Sequence, residues 1–131
     1  MKHCIVLIFF LSLVLSSCSQ NVEPENLEPD GIVLFEEGNS LIELVGIEDS
    51  RCPSDVSCIW AGNAAVSMRL VQNSTFTDFV LHSNPGENTG VGELTVMEFT
   101  IELIDVNPLP TSETLGNIAL EEYTVELNVS Q

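Results

Sequence analysis

The sequence predicts an all-β fold, a small antiparallel β-sandwich of immunoglobulin-like type with six or seven strands. Two observations carry that expectation. Apolar and polar residues alternate with period two in four separate stretches, and segments rich in Pro, Gly and Asn divide them. No stretch of useful length repeats apolar residues at helical spacing. A small β-barrel satisfies the same pattern and is the alternative architecture. About 100 residues follow residue 30, enough for one small domain over 31–131.

Taken in order, residues 32–36 form a first short strand and 41–48 a second, with Gly46 marking a bulge. Residues 59–71 set Trp60, Ala64, Val66, Met68 and Leu70 on one face, against Asn63, Ser67 and Arg69 on the other. The next strand, 75–82, buries Phe79 and Leu81. Further on, Met97, Phe99, Ile101 and Leu103 alternate with Glu98, Thr100 and Glu102. Finally Tyr123, Val125, Leu127 and Val129 alternate with Glu122, Thr124, Glu126 and Asn128. Each reads as a half-buried strand with one wet face. Residues 83–90 and 107–112 are turn-rich, and only 115–120 suggests a helical turn.

Ahead of this domain stands a basic start, Met1-Lys2-His3, and an apolar run over 4–15 broken only by Ser12. The run falls short of the roughly 20 residues a spanning helix needs, so 1–17 reads as a secretory signal peptide. Its last residues, Leu15-Ser16-Ser17-Cys18, resemble the lipobox of bacterial lipoproteins: a Leu, two small residues and a Cys. The resemblance implies that Cys18 receives diacylglycerol and a fatty acid such as palmitate, and becomes the N-terminus after cleavage. The domain would then be anchored to a membrane of the cell envelope, the outer membrane first among them, on the extracytoplasmic side. Two or more acyl chains hold stably where one gives marginal attachment. An ordinary cleaved signal, with Cys18 incidental, is the alternative.

Without the leader the chain has 114 residues, no Lys, and only Arg51 and Arg69 against 20 acidic residues, a net charge of −18. That balance argues against nucleic acid, whose affinity comes from cations on phosphate. It argues equally against docking on anionic headgroups, leaving membrane attachment to the acyl chains. The charge serves solubility outside the cell, and its sharper uses are an envelope protein or other cationic ligand, or calcium. Residues 18–30 form an acidic tether: 21–30 hold two Pro and four acids with only Val22 and Leu27 apolar.

The chemistry-bearing stretch is 48–63. Cys52 and Cys58, outside the cytoplasm, predict a structural disulfide closing a seven-residue loop. The chain-entropy estimate for so short a loop is about 2 kcal/mol. Pro53 and Asp55 turn the chain inside it. Trp60 is expected in the core, with Gly62 and Ala64 leaving its indole room. Arg51 is expected on one of Glu48, Asp49 and Asp55, fixing the mouth of the loop, and its rival role is recognition on a displayed loop. A metal or redox use of the cysteines is the alternative. Two thiolates fall short of zinc's four ligands, and the spacing is not Cys-x-x-Cys. Copper(I) would have only Met68 and Met97 as further sulfur donors. Residues 51–63, with Arg-Cys-Pro, a second Cys and Trp-Ala-Gly, resemble a segment of uncharacterised secreted and lipoprotein domains of bacteria. That resemblance implies no activity and no site residue.

The sequence holds no Gly-x-Ser-x-Gly elbow, no phosphate-cradling loop and, beyond the leader, no Lys for Schiff-base chemistry. Adjacent acids such as Glu36-Glu37, Glu48-Asp49 and Glu121-Glu122 arise readily among 20, and no Asp-x-Asp-x-Asp-Gly calcium loop is present. His82 reads as a strand-end residue. No catalytic residue, metal ligand or cofactor is therefore assigned. The expected role is non-catalytic binding or structure at the membrane, with a metal-handling protein or small envelope hydrolase as the alternative. The anchoring expectation has a direct test. Metabolic labelling with a clickable fatty acid should mark the wild-type protein and leave Cys18→Ser unmarked, and an unlabelled, soluble wild type would contradict it.

Overall fold

The computed structural model describes residues 31–131; Cys18, the leader 1–17 and the tether 18–30 lie outside the described residues. Seven strands follow one another: β1 (Ile32–Glu37), β2 (Ser40–Asp49), β3 (Ala64–Gln72), β4 (Thr75–His82), β5 (Glu93–Val96), β6 (Phe99–Asn107) and β7 (Thr124–Ser130). They make two antiparallel sheets, β1-β2-β3-β4 and β5-β6-β7. The architecture is the expected β-sandwich, and two separate sheets set the barrel alternative aside. The four-plus-three division is that of immunoglobulin domains. The chain, however, completes one sheet before starting the other, so the connections are meanders.

Period-two alternation builds the core. β3 buries Ala64, Val66, Met68 and Leu70, while Ala65, Ser67 and Arg69 between them remain partly exposed. Ile42 and Leu44 of β2, and Phe79 and Leu81 of β4, join them from the same sheet. The three-stranded sheet contributes Val96, Phe99, Ile101 and Val106. Phe99 also meets Phe35 of β1 edge to face, with ring centroids 6.1 Å apart. Burying each such side chain contributes on the order of 1.5–3 kcal/mol.

The bulge expected at Gly46 is present: the β2–β3 register shifts between Leu44 and Gly46, leaving Val45 as the extra residue. β3 and β4 are joined by a two-residue turn at Asn73 and Ser74, both with positive φ. The mirror-image turn type that this requires matches the twist of paired strands.

Three expectations are corrected. The strand predicted over 59–71 begins only at Ala64, and Trp60, predicted in the core, is 77% exposed. The cause is Gly62, whose φ of +73° breaks the alternation before it reaches Trp60. A Cβ there would lie 2.0 Å from the Ser50 carbonyl oxygen, so only glycine fits. Met97, placed on the apolar face with Phe99, instead has φ of +55° in a tight turn. Because Val96 pairs with Phe99, Met97 and Glu98 are the two turn residues, and the apparent alternation runs through a reversal of the chain. The helical turn expected around 115–120 is divided between a turn in which the Leu115 N–H donates to Thr111 O at 2.9 Å and a 3₁₀ turn, Leu120–Glu122.

Candidate functional site

Between β2 and β3 the chain leaves the sheet at Ser50 and returns at Asn63. The two arms of this excursion continue the pairing of the strands: the Ser50 N–H donates to Asn63 O and the Cys52 N–H to Ala61 O, both at 2.8 Å. Beyond them the Cys52–Cys58 disulfide closes the tip, with the Cα atoms 5.9 Å apart. The predicted disulfide is therefore the covalent brace of a projecting loop.

Arg51 sits at the root of that loop and is buried. Its guanidinium meets Asp49 in a fork, Nε to Oδ1 at 2.9 Å and Nη2 to Oδ2 at 2.7 Å, and the Arg51 backbone N–H also donates to Oδ1 at 3.1 Å. Of the three carboxylates expected as partners, Asp49 is the one; Asp55 serves elsewhere. The remaining donors reach across to the other sheet. Nη1 donates to Val106 O at the end of β6, and Nη2 to Pro108 O at 2.8 Å, just past the cis Asn107–Pro108 peptide. Tyr123, at the start of β7, donates its hydroxyl to Asp49 Oδ2 at 3.1 Å. One ion pair thus joins the end of β2 to the ends of β6 and β7.

The loop is tied to the same neighbour a second time. The Ser54 N–H donates to Pro110 O at 2.8 Å. Asp55 accepts from the Ser112 N–H at 2.8 Å and from the Ser112 hydroxyl. His82, at the end of β4 as expected, meets Asn63 at 2.9 Å, and Asn63 in turn accepts from the Asn84 N–H at 3.1 Å.

Burial opposes charge on Asp49, whose side chain is 3% exposed, but the hydrogen bonds and positive charge of Arg51, together with the Tyr123 hydroxyl, outweigh it. Its pKa is held below the usual carboxylate value. The same pairing raises Arg51 against the cost of its burial. Burial, then the Asp49 charge, pushes Tyr123 up. At the tip, the Ser112 hydroxyl and N–H lower Asp55. At neutral pH the root therefore holds one full ion pair and a neutral phenol, with each guanidinium nitrogen of Arg51 hydrogen-bonded within the domain.

Beside Ser54, Asp55 and Ser57, the loop turns large apolar side chains outward. Ile59 is 90% exposed, and Val56 and Leu109 stand about half exposed. Leu109 lines a shallow depression with Cys52 and Ala61, so the loop and the 107–112 segment share a surface. Sequence alternation concealed this arrangement, and the usable signal was Gly62 directly after Trp60-Ala61. Among the described residues no three His, Cys, Asp or Glu side chains converge as a metal site. The geometry defines a small β-sandwich with a disulfide-braced, apolar-tipped loop rooted on a buried ion pair. Comparison with family models, with curated proteins and with solved structures returns no match to this chain.

Removing one partner of a buried, hydrogen-bonded ion pair costs about 3–5 kcal/mol. For a domain of this size that is a fall in melting temperature of more than about 10 °C, which Arg51→Ala should show at pH 7. The pH dependence has a definite sign. A carboxyl held low in the folded state stabilises above its unfolded pKa, near 3.8, and loses that contribution as pH falls through the lower folded value. Wild-type stability should thus carry this contribution in full above about pH 4, and its gap to Arg51→Ala should narrow in stronger acid as Asp49 takes up its proton. A gap of under 3 °C at pH 7 in thermal melts, or one that widens in acid, would contradict the assignment.

Proposed function

We propose that this chain is a membrane-tethered, extracytoplasmic lipoprotein domain whose role is non-catalytic binding, with residues 52–60 as its recognition tip. One observation carries the reading: Ile59 and Trp60 are the most exposed large apolar residues of the domain, at 90% and 77%, and they stand on a loop fixed by a disulfide and by hydrogen bonds to both sheets. Exposing an indole to water without use forgoes the 150–250 Å² of burial that an aromatic side chain otherwise contributes. Trp is enriched among residues that dominate interface energetics, and a rigid loop loses little entropy when it binds.

The resemblance of residues 15–18 to a lipobox supports the tether, and the net charge of −18 directs the reading toward a partner that is not itself acidic. Arg51, the rival recognition residue, is occupied at the root of the loop and acts by positioning the tip.

A photo-crosslinking side chain at position 59 of the full-length protein, irradiated in intact cells, should give a defined adduct that Trp60→Ala removes. Trp60→Ala should itself leave the melting temperature within about 4 °C of wild type, as an exposed substitution does. Crosslinks no different from those of a control position such as Glu126, or a Trp60→Ala variant that melts like a core mutant, would overturn the reading.

A further inference from the structure

A second surface, apart from the loop, is prepared for an extended chain. The four-stranded sheet ends at β4, and the hydrogen-bonding direction of that edge follows from two bonds at its C-terminal end. The Ser83 N–H donates back to Ala64 O at 3.0 Å, whereas the His82 N–H donates away from β3, to Val91 O at 2.8 Å. Direction alternates residue by residue along an antiparallel strand. The N–H and C=O groups of Phe76, Asp78 and Val80 therefore point, like those of His82, out of the sheet. Val91 occupies the place opposite His82, and among the described residues nothing pairs with the three rungs before it.

Exposed edges are normally blunted by bulges, short length, Pro or charge. β1 carries a register shift between Val33 and Phe35, β5 has four residues, and β7 exposes Thr124, Glu126, Asn128 and Ser130. Of these protections β4 has only one charge, Asp78. It runs eight residues in unbroken register with β3 and contains no Gly, Pro or Lys. Its single acid, Asp78, is held by Arg69 at 2.6 Å, and that guanidinium lies 4.5 Å from the centre of the Phe76 ring. On the outer face Phe76 is 56% and Val80 41% exposed. On the same face a shallow depression of about 290 Å³ lies over Ser67 of β3, between Val45 of β2 and Val80 of β4.

We propose that this edge accepts an extended strand of a basic polypeptide, which adds a fifth strand alongside β4. Backbone bonds supply affinity in such strand addition, and pockets for alternate side chains supply selectivity. Charge selects the occupant. Residues 31–131 carry 16 acids against Arg51 and Arg69, and both arginines are in ion pairs with acids of this chain. A second copy would bring the same excess of negative charge to the contact, whereas a lysine-bearing strand is drawn to it.

The test uses the full-length chain in neutral detergent and a fluorescent peptide of alternating Val and Thr with two Lys at each end. Fluorescence anisotropy should show saturable binding. Methylating alternate backbone nitrogens of the peptide, exchanging its Lys for Glu, or introducing Val80→Pro should each weaken it at least tenfold. Proline at position 80 removes an outward N–H and no bond to β3. Trp60→Ala should bind as wild type, which separates this site from the loop tip. The proposal is overturned by no binding, by a methylated or Glu-ended peptide that binds equally well, or by a folded Val80→Pro that is unaffected. A peptide-free dimer in sedimentation that Val80→Pro dissociates would also overturn it, making a second copy the occupant. Should Val80→Pro fail to fold, the methylated peptide decides alone.

Discussion

The Arg51 guanidinium is the constraint on which the rest depends. Two sheets of this sandwich arise from separate meanders, and apolar packing alone holds their faces together without fixing how their ends meet. Arg51 and Asp49 fix that junction: the fork between them is satisfied from β2, and the remaining bonds run to Val106 O, Pro108 O and the Tyr123 hydroxyl. Isolated buried charge is costly, and a planar five-donor fork is suited to meeting a carboxylate and two carbonyls at once. In a domain with two cations and 16 acids, placing one of the cations here commits half the positive charge of residues 31–131 to architecture.

That commitment explains why the loop above it can present apolar residues. The arms from Ser50 to Cys52 and from Ala61 to Asn63 are paired, the tip is cross-linked, and Ser54 and Asp55 are bonded to the segment after β6. With its arms paired and its tip cross-linked and bonded in this way, the loop does not depend for its stability on burying Trp60. The indole is then available for contact with another molecule, and the loop gains from the ion pair a fixed direction relative to both sheets.

Much of the fold was legible because period-two alternation survives wherever the chain stays in one strand. β3 from Ala64 onward, β4, β6 from Phe99 to Leu103 and β7 follow it, and the bulge at Gly46 was marked by its glycine. The misreadings of Trp60 and Met97 have one cause. Alternation at i and i+2 also passes through a two-residue reversal, so Met97 appeared to continue β6, and through a left-handed residue, so Trp60 appeared to continue β3. Arg51's carboxylate could be narrowed to Glu48, Asp49 or Asp55 from proximity. Its carbonyl partners, some 55 residues further along, had no local signal. The openness of the β4 edge was equally hidden, since it depends on which strands neighbour which.

The central claim is that the ion pair and its attached hydrogen bonds make the loop part of the cooperative fold. Native-state hydrogen exchange of the Cys52 and Ser54 amides tests it most directly, because these groups donate to Ala61 O and Pro110 O within and across the loop contact. If the loop opens only with the whole domain, their opening free energies should lie within about 1 kcal/mol of those of the Met68 and Leu70 amides in β3. Opening energies lower by about 3 kcal/mol or more would show a loop that moves independently of the sheets and would contradict the account.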